Sequence, residues 1–338
     1  MSESMRAVIW QGPSSMAMAD VPLPELRPED VLIKVDAASI CGSDLAGFTG
    51  KMGNRFPGQI MGHEISGTVV EVASAAHDNL LGATVCVNPL ETCGHCRACT
   101  TGRPQQCDDV HLVGVHRHGG FAEFVAVRAS NLLPSPVGVP QALSCLVEPL
   151  AHAFHDVRIA TNDGQPEDLL LIGAGSIGIF ALLAAKASGL PSLTVIEPDP
   201  GRRSLAAELG ATAVADAEEL DGRSFDAVIE GVGLESTRRT AVERVRRGGT
   251  VALVGLAQPI SEFGFMASIV REVVLRGAFA YTSEDFHDAR AYLSDPGLPP
   301  QVKIDVVPLE AAPEVFTTLA AGPQSSLKTI LNPSLTPA

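Results

Sequence analysis

Cys93, Cys96, Cys99 and Cys107 crowd into fifteen residues, with two, two and seven positions between them. Thiolates two residues apart can wrap one tetrahedral ion without strain, and zinc takes four such ligands. Gly94 and Gly102 are expected to relax the backbone where the chain bends round the ion. With 7 cysteines in 338 residues, the pattern arises by chance in roughly 0.00006 of such chains. In a long chain such clustering reads as metal binding, not as a disulfide framework. Four protein thiolates leave no position open for a substrate, so the expected ion is a structural zinc.

A metal that does chemistry needs an open position and must draw on dispersed residues. The candidates are Cys41 in Cys41-Gly42-Ser43-Asp44, His63 and Glu64 in Gly62-His63-Glu64, and Glu148 in Val147-Glu148-Pro149-Leu150. Each alone has an ordinary reading. A cysteine at a strand end is usually a small core residue, a lone histidine a satisfied polar group, and Glu148 a surface carboxylate.

A third candidate is Gly173-Ala174-Gly175-Ser176-Ile177-Gly178. With 32 glycines in the chain, three at these spacings arise by chance roughly 0.3 times per sequence. Context gives the motif weight, because it lies between an apolar run expected as a strand and a helix-period stretch. There the first glycine permits a tight turn, the second lets a diphosphate approach the backbone, and the third lets helix and strand pack closely. The diphosphate meets the positive end of the helix. Glu197 closes the next strand, nineteen residues after Gly178. A carboxylate there accepts from both ribose hydroxyls and repels a 2′-phosphate, so NAD is expected over NADP. Asp199 is the competing acid, placed two residues too far into the turn. Arg202 and Arg203 follow and can stack on adenine or, as the lesser alternative, accommodate NADP.

The elements that must hold these groups fall into two kinds. Short β-rich runs at residues 5–10, 31–38, 67–73 and 83–88, separated by Gly and Pro signals, suggest a barrel-like or sandwich-like β domain. Near Pro166 the pattern changes to strands at 169–172, 193–197, near Ala213, at 227–230 and at 251–255, with helices at 179–187 and 203–209. Strand and helix alternating at this spacing predict a parallel doubly wound sheet. After about Gly277 the alternation ends, and the tail from Phe286 is too small to be a domain alone. It is expected to pack back on the first domain. The division expected is residues 1–145 with 285–338 as a zinc catalytic domain and 146–284 as a Rossmann NAD-binding domain, an α/β chain overall.

Together the motifs form a recognisable order: Cys-Gly-Ser-Asp, Gly-His-Glu, the four-cysteine lobe, Glu-Pro-Leu, then Gly-x-Gly-x-x-Gly. Gly119-Gly120-Phe121-Ala122-Glu123-Phe124, Arg271-Glu272 and Lys328-Thr329-Ile330-Leu331 continue it along nearly the whole chain. This order resembles the zinc-containing medium-chain alcohol dehydrogenases, and Glu-Pro-Leu is similar to their sorbitol (polyol) and threonine dehydrogenase branch. The resemblance implies a GroES-like catalytic domain beside the Rossmann domain and two zinc ions per chain. It implies Cys41 and His63 as ligands of a catalytic zinc, with Glu64 and Glu148 supplying carboxylate oxygen directly or through water. A thiolate, a neutral imidazole and one carboxylate would cancel the dication's charge and leave a fourth position for substrate oxygen. Asp44 would accept from the His63 ring, and Ser43 would take the alcohol proton. Val254-Gly255-Leu256 and Phe279-Ala280-Tyr281 would flank the nicotinamide.

The reaction so implied is reversible oxidation of a secondary alcohol to a ketone, with the hydride passing to the nicotinamide ring in a cleft where both reactants meet. Polyols, amino alcohols and cyclitols are the expected substrates, and the zinc region also resembles bacterial amino-cyclitol dehydrogenases of secondary metabolism. Ala46 replaces a histidine that often continues the proton relay, Gly47 a tyrosine common in polyol enzymes, and Ala280 the arginine of an Arg-Tyr pair. Sorbitol itself therefore does not follow. A homodimer or homotetramer is the implied assembly.

Bulk properties narrow the field further. A net charge of −15 argues against nucleic acid or an anionic membrane as the main partner. Only Arg97 and Arg103 stand near the cysteine lobe, which disfavours a nucleic-acid zinc finger. Residues 169–185 carry no charge but include three glycines and fall short of a membrane span. No secretory signal pattern is present over residues 1–20, so a cytoplasmic protein is expected. Two rival readings stand beside the dehydrogenase. A zinc-free quinone or enoyl reductase of the same fold needs no ligand set at Cys41, His63 and Glu148. A non-catalytic zinc- and nucleotide-binding protein would hold metal without turnover. Cys86 and Cys145 are left over and are expected in the core, although Cys145 lies three residues before Glu148.

Overall fold

Extended segments rich in β-branched residues build the first part of the chain. β1 (Ser4–Gly12) and β2 (Ser15–Pro22) form an antiparallel hairpin, and β1 also pairs with the short β4 (Gln59–Ile60). The organising strand is β3 (Asp30–Ser39), buried along most of its length because both its edges are occupied. β5 (Glu64–Val72) takes one edge, and β9 (Phe124–Arg128) pairs with the first half of β3. β6 (Thr84–Val87) and β10 (Leu132–Pro134) extend the sheet beyond β5. Between β6 and β9 the chain makes the small pair β7 (Leu90–Glu91) and β8 (His111–Leu112). The helices here are short: α1 (Gly42–Phe48) directly after β3, and α2 (Arg97–Thr100).

This is a computed structural model, and it describes residues 3–162, 164, 166–322 and 325–336. The chain forms two compact units. One is Met1–Glu148 with Leu293–Gly297 and Lys303–Ala338, and the other is Pro149–Tyr292 with Leu298–Val302.

The second unit holds a six-stranded parallel sheet in the order β13-β12-β11-β14-β15-β16. The strands are β11 (Asp168–Ile172), β12 (Ser192–Ile196), β13 (Thr212–Val214), β14 (Phe225–Glu230), β15 (Val245–Leu253) and β16 (Val274–Gly277). Numbered within the sheet, that order is 3-2-1-4-5-6, the doubly wound dinucleotide-binding arrangement. Its helices are α3 (Val147–Thr161), α4 (Ser176–Ala187), α5 (Pro200–Glu208), α6 (Glu235–Arg244), α7 (Phe265–Arg271) and α8 (Ser283–Ser294). Leu169, Leu170 and Leu171 are fully buried, as expected of a strand covered on both faces. The uncharged run at 169–185 is thus β11 followed by α4, a core strand and a core helix. Among the described residues, no helix is long and apolar enough to cross a membrane.

The chain's end completes the first unit. β17 (Ile304–Pro308) pairs in parallel with β18 (Lys328–Asn332), and β18 pairs antiparallel with the end of β3. Between them α9 (Ala312–Ala321) carries Phe316 into the core. Its ring lies 5.4 Å from that of Phe48 and 5.7 Å from that of Phe121. Phe48 ends α1, so this contact helps fix the helix that begins just after Cys41.

Within the second unit, Asp285 in the first turn of α8 is fully buried and multiply bonded. It accepts from His155 Nδ1 at 2.8 Å, Arg158 Nε at 2.8 Å, Thr282 N–H at 2.9 Å and Thr282 Oγ1 at 2.7 Å. Burial opposes the charge, but the bonds from His155, Thr282 and Arg158 hold the carboxyl down at about 2. A carboxylate with a depressed folded pKa stabilises the fold above its unfolded value near 4 and loses that contribution as pH falls towards about 2. Asp285→Asn is therefore expected to cost about 2 kcal/mol at pH 7. The difference from wild type should shrink between pH 4 and pH 2, as read by urea unfolding followed across that range.

Candidate active site

The four clustered cysteines surround α2, and all their sulfur atoms lie within 4.8 Å of one another. Zinc with thiolates at about 2.3 Å in a tetrahedron requires sulfur–sulfur edges of about 3.8 Å. The separations straddle that value: 3.5 Å for Cys96–Cys99, 3.6 Å for Cys93–Cys107 and 4.0 Å for Cys93–Cys99. Gly94 and Gly102 have φ of +75° and +76°, a conformation that side chains disfavour and that lets the loop close on the ion. Backbone bonds from His95 and Cys96 bring the Cys93 thiol down to about 6. The donor set fits a closed structural zinc.

A second convergence lies where β3, α1 and β5 meet. Cys41 is the N-cap of α1, one residue after the segment that follows β3, and His63 and Glu64 open β5. Their ligand atoms all fall within 4.8 Å of one another. Asp44 anchors the turn by accepting the Cys41 N–H at 3.1 Å, and its other oxygen faces His63 Nδ1 at 3.5 Å. Ser43 sits half-buried in the first turn of α1. Burial works against a Cys41 thiolate, yet the hydrogen bond from His63 and the charges of His63 and Lys328 bring it down to about 6. Glu148 heads α3, buried, outside the 4.8 Å set but near enough for its charge to be felt at Glu64 and Lys328. A soft thiolate, an imidazole and a carboxylate converging on one point suit zinc.

Three residues here escaped the sequence reading as site members. Lys328, the first residue of β18, is buried and donates to both oxygens of Glu64, to Oε2 at 2.7 Å, and to the Ile40 carbonyl at 3.0 Å. Burial alone would lower its pKa, but the Glu64 and Cys41 anions raise it above the usual lysine value. Ser39 Oγ also donates to Glu64. The available signal was a lysine heading an apolar strand in the tail. Arg55 is likewise buried, 3.8 Å from Asp44, and nothing in its Gly- and Pro-rich surroundings marked it. Cys145 is fully buried, and burial pushes its thiol well above the ordinary range, so it stays neutral. Cys86 is a buried residue of β6.

In the second unit, residues 173–175 link β11 to α4. Gly178 packs so closely that a Cβ there would lie 1.9 Å from the Gly173 carbonyl oxygen, so only glycine fits. Glu197 follows β12 and accepts the N–H of Ala174 at 2.7 Å and of Asp199 at 2.9 Å, fixing its carboxylate at the mouth of the glycine loop. Asp199 caps α5 instead, accepting from the Arg202 N–H at 2.9 Å. The Arg202 guanidinium reaches toward Gly175, whereas Arg203 donates to the carbonyls of Glu197 and Pro198. Ser176 and Ile177 form the first turn of α4. Val254 is buried and Leu256 exposed, and Gly255 packs backbone to backbone on Val232 and Gly233. Phe279 is exposed, Ala280 takes a left-handed φ of +51°, and Tyr281 is buried with its ring 5.5 Å from that of Phe286.

Comparison with known families agrees with this geometry. Residues 27–137 match the alcohol dehydrogenase GroES-like domain, and residues 176–295 match the zinc-binding dehydrogenase domain. The chain belongs to the zinc-containing medium-chain alcohol dehydrogenase family. It is 34% identical over 293 residues to an L-threonine 3-dehydrogenase of Chelativorans, covering 82% of this chain and 85% of that one. It is 32% identical to the L-galactonate-5-dehydrogenase of Escherichia coli, covering 84% and 85%. Its fold superposes on acetophenone reductase from Geotrichum candidum, solved in complex with NAD, with a TM-score of 0.89, 26% identity and 98% of each chain covered. As a dehydrogenase of this family, the chain is a zinc-dependent oxidoreductase that uses a nicotinamide dinucleotide. Elemental analysis is expected to give two zinc atoms per wild-type chain. His63→Ala should retain one zinc and lose turnover by more than ~100-fold.

Proposed function

We propose that the chain oxidises a secondary alcohol of the polyol, cyclitol or amino-alcohol type reversibly to the ketone, with NAD as hydride acceptor. The observation that carries this reading is the convergence of Cys41, His63 and Glu64 at the start of the helix that bears Ser43. Cys41 and His63 would hold the catalytic zinc, with carboxylate oxygen from Glu64 or Glu148. When bound, the ion supplies Lewis acidity at the alcohol oxygen, and the nicotinamide accepts the hydride.

The chain's own residues supply the rest. Ser43 Oγ would accept the alcohol proton from within the first turn of α1 while releasing its own hydroxyl proton onward to solvent. Asp44 Oδ1, which faces His63 Nδ1 at 3.5 Å, would accept from that nitrogen with zinc bound and so fix which ring nitrogen is presented to the metal. Lys328 offsets the negative charge of Glu64, whose carboxylate it already holds. The α4 N-terminus receives the cofactor diphosphate. Glu197, held at the loop mouth by Ala174 and Asp199, accepts from the adenine ribose hydroxyls and repels a 2′-phosphate. The names of the threonine and galactonate relatives support an amino alcohol or a polyol, while Ala46, Gly47 and Ala280 weigh against sorbitol. No disulfide joins the seven cysteines, and with a thiolate zinc site this suits a reducing compartment, so the cytoplasm is the proposed location.

Activity should be measured for polyols, cyclitols, threonine and simple secondary alcohols with NAD and with NADP. At least tenfold preference for NAD and a drop of ~100-fold or more in Ser43→Ala are expected. Strong activity that survives removal of all zinc would falsify the mechanism, and a tenfold preference for NADP would refute the role of Glu197.

We infer further that the protein is a homodimer formed through the second unit. β16 is an edge strand, and its Val274 and the Phe265, Met266, Ile269 and Val270 of the preceding helix α7 are exposed. An unpaired edge flanked by an apolar helix is self-complementary about a two-fold axis. Light scattering should show a dimer for wild type and a monomer for Ile269→Glu. A wild-type monomer would overturn the assignment.

A further inference from the structure

Behind the zinc-facing donors lies a cation that the proposed chemistry does not use. Arg55 belongs to a stretch, residues 51–58, in which most neighbours are exposed, yet it is only 8% exposed itself and its side chain is fully covered. Its Nη1 donates to Asn54 Oδ1 at 3.0 Å, and its Nη2 lies 3.8 Å from Asp44 Oδ1. That same oxygen faces His63 Nδ1 at 3.5 Å. Asp44 Oδ1, His63 Nδ1, and Nε and Nη2 of Arg55 are all buried without a hydrogen-bond partner. Burying a guanidinium costs several kcal/mol unless an anion compensates it, and here the compensating anion is Asp44.

The approach depends on Gly47. A Cβ at that position would sit 2.8 Å from Arg55 Nε, 3.2 Å from its Cγ and 3.3 Å from its Cζ, so the guanidinium lies against α1 where another residue's side chain would stand. The missing side chain at 47 and the inward-turned arginine at 55 are thus two halves of one arrangement.

We propose that Arg55 is a positioning residue for the catalytic zinc, acting on the ligand His63 through Asp44, with Gly47 making room for it. Resting on the zinc reading given above, the inference adds a charge balance. Lys328 faces the Glu64 carboxylate and Arg55 faces that of Asp44, so each of these two buried acids beside the ligands has its own buried cation. Without Arg55, Asp44 is a buried anion short of a partner and no longer an ordered acceptor for His63.

The test is zinc release to a chelating dye, which should show two phases in the wild-type holoenzyme, one from each site. Arg55→Met keeps the volume and removes the charge. It is expected to speed loss of the catalytic zinc by 10- to 100-fold, leaving the four-cysteine phase and the affinity for NADH unchanged. Its kcat should fall with zinc content at unchanged KM for NAD, and Arg55→Lys should recover most of the zinc retention. If Arg55→Met proves insoluble, Gly47→Ala carries the test. It preserves every charge, favours the helix and displaces the guanidinium, so faster zinc loss supports the proposal and wild-type retention overturns it. Wild-type release kinetics in Arg55→Met also overturn it, as does a rise confined to the KM of an anionic alcohol, which would mark Arg55 as a substrate contact. A wild-type protein that holds only the four-cysteine zinc would instead remove the reading on which the inference rests.

Discussion

Glu64 and Lys328 are separated by 264 positions in the chain, yet they meet as a buried ion pair beside Cys41 and His63. Each charge taken from water costs several kcal/mol, and removing either partner leaves the other uncompensated. Much of the first unit follows from making this contact possible. β18 must lie along the end of β3 so that Lys328 reaches both Glu64 and the Ile40 carbonyl. β5 must lie along the opposite edge so that Glu64 faces inward. The chain's last strand is thus part of the metal-site architecture, and the two edges of β3 carry its positive and negative members.

On the proposed reading the second unit meets a different demand, that of receiving a doubly charged diphosphate on backbone N–H groups. Backbone N–H groups at the start of α4 face the glycine loop, and Gly178 allows the helix to approach the strand end closely. Glu197 ties the end of β12 to that loop through Ala174, so the carboxylate proposed to choose between cofactors is also part of the loop's scaffold. A shorter acid there would have to give up one of its two bonds, to Ala174 or to Asp199.

The two zinc sites differ in how much of the fold they need. The four-cysteine lobe is local: its ligands span fifteen residues, and their spacing nearly dictates the tetrahedron. The catalytic cluster is assembled from β3, α1 and β5, with the charges that balance it coming from residue 55 and the tail. The matched domains, residues 27–137 and 176–295, contain Cys41, Arg55, His63, Glu64, the cysteine lobe and Glu197, whereas Glu148, the first two glycines of the loop and Lys328 lie outside them.

The sequence by itself determined the local features. These were the cysteine lobe, the glycine loop with Glu197 after the next strand, the alternating strands and helices from residue 168 onward, and the short β-rich runs before them. Each rests on spacing within a few tens of residues, where steric and hydrogen-bonding rules act directly on neighbours. It did not place β2 or the helices α3, α6 and α7. Only the tertiary structure decided that Lys328 neutralises Glu64, that Arg55 turns inward over Gly47 against Asp44, and that Tyr281 is a core side chain. The physical reason is that a buried charge is tolerated only beside its partner. Which residue becomes that partner depends on strand order and register across hundreds of positions, information that no local pattern carries.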